Sequence, residues 1–401
     1  MKNILLIIPY GGVGGMERLA FSFYNFYKKE GHFIKAVKFI KLENDIINFD
    51  KEDELYFSDR DFSEMSKAER LKFYISVPYK LRKVIKKHKI THSIAFGAMP
   101  NVYSSLTYTK DYKIASIHAL KSVELSNNSL LSKMTRFGYK YTYKNLDKVV
   151  CISNAIKEDL INKCDFKFIN KLKVIYNPHD VNEIQKRSVE DITIPEEIEL
   201  FDSKSILFIG RLSTQKSPWH LIKAFSLVLK NIPDAKLIFI GDGDAGVLNH
   251  LENLIDELNI KEQIHFLGRK KNPYKYLVKA KTLALASHYE GTPNVIVEAM
   301  CLATPIVSSC CTYGIVELMS LNEHTVKDEM IEVEAGIITP NLYKDKLGIP
   351  ETNDFISEEH TLSEAIELML QSSKYKENLE GNKNELLMKF DLEKVANEYL
   401  S

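Results

Sequence analysis

Two glutamates eight residues apart lie in the part of the chain that is best suited to chemistry. Glu290 lies in a loop after a short apolar run, and Glu298 lies on the helical segment that follows. Pro293 stands near the first helical position, where it needs no N–H, and Thr292 or the backbone before it is expected to cap the helix. The free N–H groups of this first turn, together with the helix dipole, predict an anion site.

Carboxylates repel phosphate, so the two glutamates need another role beside such a site. We expect Glu290 and Glu298 to accept hydrogen bonds from hydroxyl groups on either side of a phosphate, those of a sugar and those of a ribose. The cations for the phosphate are expected from Arg211 and Lys216, which follow an apolar strand in GRLSTQKSP. A forked arginine and a point-charge lysine suit a diphosphate, although two ordinary surface charges would give the same pattern.

Glycine-rich turns follow other predicted strands. GDG (241–243) would let the backbone approach a nucleotide, but it is weak evidence alone. GGVGG (11–15) has neither the spacing of the dinucleotide fingerprint nor the lysine of a P-loop. It is either a tight turn or a backbone that approaches a phosphate or an acceptor. His118 ends the predicted strand KIASIH and is either a satisfied structural residue or a catalytic one.

The composition is that of a globular protein with more than one domain. The chain has 401 residues, of which 45% are hydrophobic and 27% charged. No apolar run approaches the roughly 18–20 residues of a membrane span, and the N-terminus reads as a buried first strand rather than a signal peptide. The five cysteines show no CxxC spacing. We therefore expect reduced thiols in a cytosol, with no disulfide framework, metal site or cofactor.

The net charge of zero hides an asymmetry between the two halves. Residues 1–190 hold 33 Lys and Arg against 21 Asp and Glu, and the remainder has the reverse. Within the basic half, residues 72–89 carry seven basic residues and no acid. This predicted helix presents either a solvated face or a patch for an anionic membrane surface. Its apolar anchors would be Phe73, Tyr74, Ile75 and Tyr79.

Strands and helices alternate in both halves, which predicts an α/β protein with two doubly wound parallel sheets. We expect an N-terminal domain over 1–180, a linker over 181–203 and a C-terminal domain over 204–390. A last helix over 391–401 follows. Ligands of such sheets bind at the carboxyl ends of the strands, so the cleft between the domains is the expected site.

These motifs together resemble a known family. YEGTPNVIVEAM resembles the Glu-x7-Glu element of the retaining glycosyltransferases of family 4, which have the GT-B fold of two Rossmann-like domains facing a cleft. GGVGGMER resembles that family's N-terminal glycine loop, and GRLSTQKSP resembles its site for the diphosphate. VIYNP and IFIGDG fall in the expected order. The similarity covers roughly 1–20, 113–178 and 205–340.

The resemblance implies a nucleotide-sugar donor held mostly by the C-terminal domain. Arg211 and Lys216 would neutralise the leaving diphosphate in place of a metal, Glu290 would contact the donor sugar, and His118 would lie close to it. Glu298 would bind the ribose hydroxyls. The other residues implied to bind substrate are Gly14, Gly15, Asn177, Gly241, Gly243, Gly291, Thr292, Asn294 and Val295. Retention would follow from same-face attack assisted by the leaving group, and the last helix would cross back onto the N-terminal domain.

The sequence departs from the family at two positions. CLATP carries Ala303 where the family usually has a glycine, and Tyr313 stands where a second glycine is common. The acceptor region (41–110) has no readable motif, and residues 41–66 are expected to form a loop and a short helix.

The expected function is transfer of a hexose or N-acetylhexosamine from a UDP-sugar to a lipid-linked or surface-polysaccharide acceptor. The enzyme is expected in the cytoplasm, or peripherally on the inner face of the plasma membrane. One alternative is a UDP-sugar epimerase of the same fold. The other is a non-catalytic module whose basic, aromatic stretch RFGYKYTYK (136–144) binds nucleic acid, although tyrosines at helical spacing are more often packing and no nucleic-acid partner is predicted.

Overall fold

The computed structural model describes residues 1–12, 15–43, 45–126, 129–201, 204–344 and 346–401. Its internal contacts divide the chain into two units. The first unit holds residues 1–178 and 392–401, and the second holds residues 179–391. Each unit is built on one sheet with helices on both faces.

The first sheet is parallel throughout its described strands. These strands are β1 (Asn3–Ile8), β2 (Phe33–Ile40), β3 (Glu54–Ser58), β4 (His92–Phe96), β5 (Tyr112–Ile117), β6 (Lys148–Cys151) and β7 (Leu172–Val174). They lie in the order β3-β2-β1-β4-β5-β6-β7. The order therefore reverses between β1 and β4, and such a reversal is where doubly wound sheets bind ligands.

The helices that cover this sheet belong to the same stretch of chain. They are α1 (Gly15–Lys29), α2 (Lys67–Lys87), α3 (Ala98–Ser105), α4 (Lys121–Glu124), α5 (Leu130–Phe137) and α6 (Asn154–Lys163). A π-helical turn (Gly138–Thr142) continues α5, and single 3-10 turns lie at Phe62–Glu64, Tyr143–Asn145 and Ile169–Lys171. Apolar side chains of α1 pack on one sheet face with Ile4 and Leu6, whereas those of α2 pack on the other with Leu5 and Ile7.

The second sheet has the same plan with one antiparallel edge strand. Its strands are β8 (Ser205–Ile209), β9 (Lys236–Ile240), β10 (Ile264–Phe266), β11 (Thr282–Leu285), β12 (Ile306–Ser309), β13 (Ile331–Val333) and β14 (Gly336–Thr339). Their order is β10-β9-β8-β11-β12-β14-β13, and β13 pairs antiparallel with β14. Here the order reverses between β8 and β11.

The helices of the second unit flank this sheet. They are α7 (Val181–Ser188), α8 (Pro195–Glu199), α9 (Pro218–Asn231), α10 (Ala245–Leu258), α11 (Tyr274–Leu277), α12 (Asn294–Cys301), α13 (Tyr313–Met319), α14 (Ser357–Gln371) and α15 (Lys374–Leu387), with 3-10 turns at Lys261–Gln263 and Met388–Phe390. Among the described residues, no helix is long and apolar enough to cross a membrane.

The last helix, α16 (Leu392–Leu400), belongs to the first unit. Its Tyr399 ring lies 4.8 Å from the ring of Phe23 on α1, and its Val395 and Ala396 are buried in the same cluster. Tyr27 on α1 also donates a hydrogen bond of 2.7 Å to the carbonyl of Ala396. Both apolar packing and hydrogen bonding therefore hold α16 against α1.

The predicted pair of doubly wound sheets is confirmed, but two predictions about local organisation are wrong. Residues 181–203 were expected to be a linker, yet α7 and α8 lie there. The polar composition hides Ile184, Ile192 and Leu200, which are each less than a tenth exposed and anchor the segment. Residues 41–66 were expected to be loop and helix, but β3 lies there as an edge strand beside β2.

The predicted membrane anchors on α2 also need correction. Phe73 is buried against Phe62 in the core, and Tyr74 is half-buried. Ile75 and Tyr79 are exposed. The helical period explains the difference, because α2 turns Phe73 and Val77 inward and the residues two positions later outward.

Candidate functional site

A buried ion pair lies where the second sheet reverses its strand order. Lys216 follows β8, and its Nζ contacts Glu290 Oε1, which follows β11. Both side chains are mostly buried, at 18% and 9% exposure. Ser287 Oγ also donates a hydrogen bond of 2.9 Å to the same carboxylate oxygen. Two residues predicted separately from the sequence are therefore brought into contact at a position where such sheets bind ligands.

Further hydrogen bonds join the loop after β8 to the loop after β11. Gln215 Nε2 donates to the carbonyl of Tyr289 at 3.0 Å, and the N–H of His288 donates to the carbonyl of Gln215 at 2.8 Å. Ser217, which has the left-handed φ of 38°, donates from its hydroxyl to the carbonyl of Ala286 at 2.6 Å. These contacts hold Lys216 and Glu290 at a fixed separation.

Arg211 lies apart from this pair. Its side chain is 71% exposed and forms an ion pair with Asp244. The structure therefore does not place Arg211 and Lys216 in one contact, as the predicted diphosphate site would suggest. Arg211 is the less buried of the two cations and can reorient at little cost.

Gly241 and Gly243 lie where the backbones after β8 and β9 meet. A Cβ on Gly241 would lie 1.9 Å from the carbonyl oxygen of Gly210, and Gly241 has a φ of 152°. A Cβ on Gly243 would lie 2.8 Å from that of Leu212. These glycines are explained by close packing between the two loops.

The helix that carries Glu298 begins beside Gly291. Pro293 is the N-cap of α12, with Asn294 and Val295 as its first helical residues, and no side chain caps the helix. The hydroxyl of Thr292, predicted as a cap, is buried without a hydrogen-bond partner. The hydroxyl of Thr312 is also unpartnered. Two unpaired hydroxyls next to a helix N-terminus fit a bound anion.

Gly291 is in close contact with the next helix. A Cβ on Gly314, in the first turn of α13, would lie only 2.5 Å from the carbonyl oxygen of Gly291. Tyr313, which precedes it where the family has a glycine, is 41% exposed. Ala303, at the other family glycine, lies just beyond the C-terminus of α12 with a left-handed φ of 54°. A glycine would adopt this conformation without strain.

Glu298 faces an aromatic residue that the sequence did not reveal. The hydroxyl of Tyr274, at the start of α11, lies 3.3 Å from Glu298 Oε1. The guanidinium of Arg187 lies 5.2 Å from the centre of the Tyr274 ring. Glu298 is 9% exposed, so α12 presents its carboxylate at a largely enclosed position.

A second buried network holds the loop that carries Glu290. His288 Nε2 lies 3.0 Å from His220 Nε2, and His220 Nδ1 lies 2.6 Å from Glu359 Oε1. Lys223 pairs with the same oxygen at 2.7 Å. Burial, followed by the nearby His220, lowers the pKa of His288 to about 4. His288 is therefore neutral at physiological pH, and α9 and α14 together fix the loop through it.

In the first unit, the glycine loop after β1 lies at the corresponding reversal of strand order. Gly14 falls outside the described residues, and Gly15 is the first residue of α1. The N–H of Gly11 donates to Asp45 Oδ1 at 3.0 Å, and a Cβ there would lie 2.5 Å from Asp45 Cγ. Close packing against residues 45–47 accounts for this glycine.

His118 follows β5 directly and is half-buried. Its Nε2 lies 2.8 Å from Ser116 Oγ, which in turn lies 2.8 Å from the hydroxyl of Tyr399 on α16. Burial, with a smaller effect of Lys121, lowers the pKa of His118 to about 3. Asn177, also predicted to bind substrate, has a buried Oδ1 without a hydrogen-bond partner.

Sequence reasoning missed the residues that support the predicted ones. Ser287 had a detectable signal, since it lies two residues after β11 and three residues before Glu290. Tyr274, Glu359 and Tyr399 had none, because they come from distant segments. Within the described residues, no group of three or more His, Cys, Asp or Glu side chains is placed to hold a metal ion.

Comparison with known proteins identifies the family and the fold. Two family descriptions match: Glycosyltransferase Family 4 over residues 13–183 and Glycosyl transferases group 1 over residues 191–335. An uncharacterised glycosyltransferase of Methanocaldococcus jannaschii is 30% identical over 340 residues, which is 80% of this chain and 81% of that protein.

A relative from Campylobacter jejuni is named as a 4-alpha-N-acetylgalactosaminyltransferase acting on an N-acetylgalactosamine-N,N'-diacetylbacillosaminyl-diphospho-undecaprenol. It is 28% identical over 332 residues, covering 80% of this chain and 85% of that protein. Among solved structures, Anabaena Alr3699/HepE in complex with UDP and glucose superposes with a TM-score of 0.73 at 18% identity, covering 100% of this chain and 98% of that one.

The two doubly wound sheets and their structural neighbours define a GT-B protein. The family descriptions and the archaeal relative go further, and the chain belongs to glycosyltransferase family 4. It is therefore a glycosyltransferase enzyme.

Proposed function

We propose that this glycosyltransferase transfers a hexose or N-acetylhexosamine from a UDP-sugar, with retention, to a lipid-linked or surface-polysaccharide acceptor. The observation that carries the proposal is the buried Lys216–Glu290 pair at the strand reversal of the second sheet, beside the N-terminus of α12. It supplies a cation for a leaving diphosphate and a carboxylate for sugar hydroxyls at adjacent positions.

In the second unit, the cationic residues are assigned to the diphosphate and the carboxylates to hydroxyl groups. Lys216 neutralises the diphosphate as the glycosidic bond breaks, and Arg211 adds a second cation when it turns from Asp244. The N–H groups of Asn294 and Val295, with Thr292 and Gly291, receive phosphate oxygens. Glu290 accepts hydrogen bonds from hydroxyl groups of the donor sugar, and Glu298 accepts them from the hydroxyl groups of the ribose. Gly241 and Gly243 shape the loops beside the nucleotide.

The first unit contributes groups without formal charge. His118 is assigned to the donor sugar, and Gly14, Gly15 and Asn177 are assigned to the diphosphate or the acceptor. The neutral state of His118 suits a hydrogen-bond donor to a sugar hydroxyl, because the lowered pKa keeps a second proton off the ring. Retention then needs no enzyme nucleophile, since the acceptor attacks from the face that the diphosphate leaves.

Relatives support the choice of donor and acceptor. The Campylobacter protein is named for a diphospho-undecaprenol acceptor, and the Anabaena structure contains UDP and glucose. These similarities support a UDP-sugar donor and a lipid-linked acceptor for this chain.

Turnover of a donor panel tests the proposal. The purified chain is incubated with UDP- and GDP-sugars and a polyprenyl-diphosphate glycan, and the anomeric configuration of the product is determined by NMR. We expect one UDP-sugar to be transferred with retention, and Glu290→Gln to reduce the rate strongly. A matched control is Glu332→Gln, whose carboxylate pairs with Lys374 at the surface. Absence of UDP binding, or an inverted product, would contradict the proposal, and sugar conversion without acceptor would indicate an epimerase.

We also propose that the first unit binds an anionic membrane surface. Leu71, Ile75 and Tyr79 form a stripe on α2 at 58%, 71% and 61% exposure. Residues 70–89 and 130–145 together hold twelve basic side chains and no acidic one. Exposed apolar side chains beside lysines fit the interface of an anionic bilayer.

Vesicle sedimentation tests this surface. Ile75→Ser is expected to weaken binding to phosphatidylglycerol vesicles by up to about thirtyfold, because about 2 kcal/mol of apolar burial is lost. Val189→Ser is the matched control, since Val189 is 81% exposed in the second unit. Unchanged binding after Ile75→Ser, or after joint neutralisation of Lys83, Lys86 and Lys87, would leave α2 as a solvated face.

A further inference from the structure

A chain of hydrogen bonds runs from the last helix of the protein to His118. Tyr399 Oη lies 2.8 Å from Ser116 Oγ, and Ser116 Oγ lies 2.8 Å from His118 Nε2. Tyr399 and Ser116 have no exposed area. A hydrogen in this chain that lacks an acceptor therefore cannot turn to water and carries the penalty of an unmade hydrogen bond.

The direction of the chain follows from counting its hydrogens. If the phenol of Tyr399 donates to Ser116 and Ser116 donates to His118, every hydroxyl hydrogen has an acceptor. If His118 instead donates to Ser116 and Ser116 to Tyr399, the phenol hydrogen has none, since Tyr399 Oη makes no other hydrogen bond to the described residues. If both donate to Ser116, the serine hydrogen is left over. Only the first arrangement satisfies the buried groups.

This direction makes Nε2 of His118 an acceptor. The ring is neutral, because burial lowers the pKa of His118 to about 3. A neutral imidazole carries one hydrogen, which must then be on Nδ1. Nδ1 makes no hydrogen bond to the described residues and is free to donate to a ligand.

We propose that Ser116 and Tyr399 are positioning residues that hold His118 in its Nδ1–H tautomer, so that it offers one oriented hydrogen-bond donor to a sugar hydroxyl at the end of β5. The inference rests on the proposed role of His118 in transfer. It gives α16 a function beyond packing, since a residue of α16 sets the hydrogen-bond donor of a residue 281 positions earlier in the sequence.

NMR of the ring nitrogens tests the tautomer directly. The full chain is labelled with ¹⁵N-histidine, and the His118 signals are assigned by their loss in His118→Gln. Bare and protonated ring nitrogens have well-separated ¹⁵N shifts, so the spectrum shows which nitrogen carries the hydrogen. We expect it on Nδ1 in the wild-type protein and on both nitrogens in exchange after Ser116→Ala, which removes the hydroxyl that donates to Nε2. A hydrogen fixed on Nε2 in the wild type would overturn the proposal.

Transfer kinetics test the consequence. Ser116→Ala is expected to lower kcat about tenfold, because it removes the hydrogen bond that orients His118. Tyr399→Phe is expected to lower kcat about threefold, because it only weakens that hydrogen bond. The affinity for UDP should be unchanged in both. Tyr27→Phe is the matched control, because it removes another buried hydroxyl that contacts α16. This hydroxyl is not part of the hydrogen-bond series that ends at His118. Equal kcat in Tyr399→Phe and Tyr27→Phe would overturn the positioning role.

The proposed role of His118 in transfer and its positioning by Ser116 and Tyr399 can be contradicted by different results. Wild-type turnover in His118→Gln would remove the proposed role of His118 and with it the kinetic effect of the two positioning residues. An Nε2–H tautomer with low turnover in His118→Gln would instead keep the role of His118 and remove the inference.

Discussion

The two sheets share the order of their first five strands but present opposite chemistry at their carboxyl ends. The second unit holds a buried ion pair, Lys216 with Glu290, at the reversal between β8 and β11. The first unit holds a neutral hydrogen-bond chain ending at His118, one strand from the reversal between β1 and β4. Under the proposed roles, the same architecture serves charge neutralisation in one unit and hydroxyl recognition in the other.

The difference follows from what each region is proposed to bind. A leaving diphosphate requires a cation, and a buried cation requires a carboxylate beside it while no ligand is bound. Hydroxyl groups require oriented donors and acceptors without net charge, and a hydrogen-bond chain in which every buried group is paired provides them. The comparison predicts that loss of charge in the second unit reduces transfer more than loss of a hydrogen bond in the first.

Lys216→Met is the strongest test of that ranking. We expect kcat/KM for the donor to fall by about 10²–10³, the effect of removing one group that stabilises charge in a transition state. Steady-state kinetics with the identified UDP-sugar provide the measurement. Lys204→Met, which removes a surface partner of Asp234, is the control and should match the wild type. A loss smaller than that of Ser116→Ala would reverse the ranking.

Acid should destabilise the second unit through His288. Its pKa is lowered to about 4, so the neutral form is favoured on folding. Its contribution is fully present above the unfolded pKa of about 6.5 and is lost as the pH falls towards 4, by up to about 3 kcal/mol. Chemical denaturation of the wild type and of His288→Gln between pH 7 and 4 measures this. The loss should be shallower in the variant, and identical slopes would count against the His288 network.

Glu298→Gln tests the ribose contact. Replacing a charged acceptor by a neutral amide is expected to weaken UDP binding about tenfold, because hydrogen bonds to charged groups are worth roughly 1.5–3 kcal/mol. Calorimetry with UDP and with uracil separates the effect, since uracil lacks the ribose and should bind both proteins equally. An unchanged affinity for UDP would assign Glu298 to the packing of α12 against Tyr274.

Ala303→Gly should have the smallest effect, and on stability alone. Ala303 has a φ of 54° after α12, where an L-residue costs about 1 kcal/mol relative to glycine. We expect unfolding by urea to require about 1 kcal/mol more in the variant, with unchanged kcat. A destabilised variant would show that the unfolded-state entropy of glycine outweighs the relieved strain.

The sequence predicted most of the fold because apolar runs and glycine-rich turns repeat in βα order. It also predicted Lys216 and Glu290, since each lies in the loop after an apolar strand. It did not predict that they contact each other, because adjacency of β8 and β11 is a property of the sheet. The prediction of a linker over 181–203 was wrong for a related reason. Apolar residues such as Ile184 and Leu200 are too few in this segment to indicate packing unless the surface that they cover is known. The chain from Tyr399 to His118 joins residues 281 positions apart, and no local pattern encodes such a contact.

The preference for UDP over UMP tests the central claim most directly. Calorimetric affinities for both nucleotides are measured with the wild type, Lys216→Met and His118→Gln. We predict that the wild type and His118→Gln prefer UDP by at least about tenfold, and that Lys216→Met loses most of this preference. An unchanged preference in Lys216→Met would contradict the assignment of diphosphate neutralisation to the ion pair of the second unit.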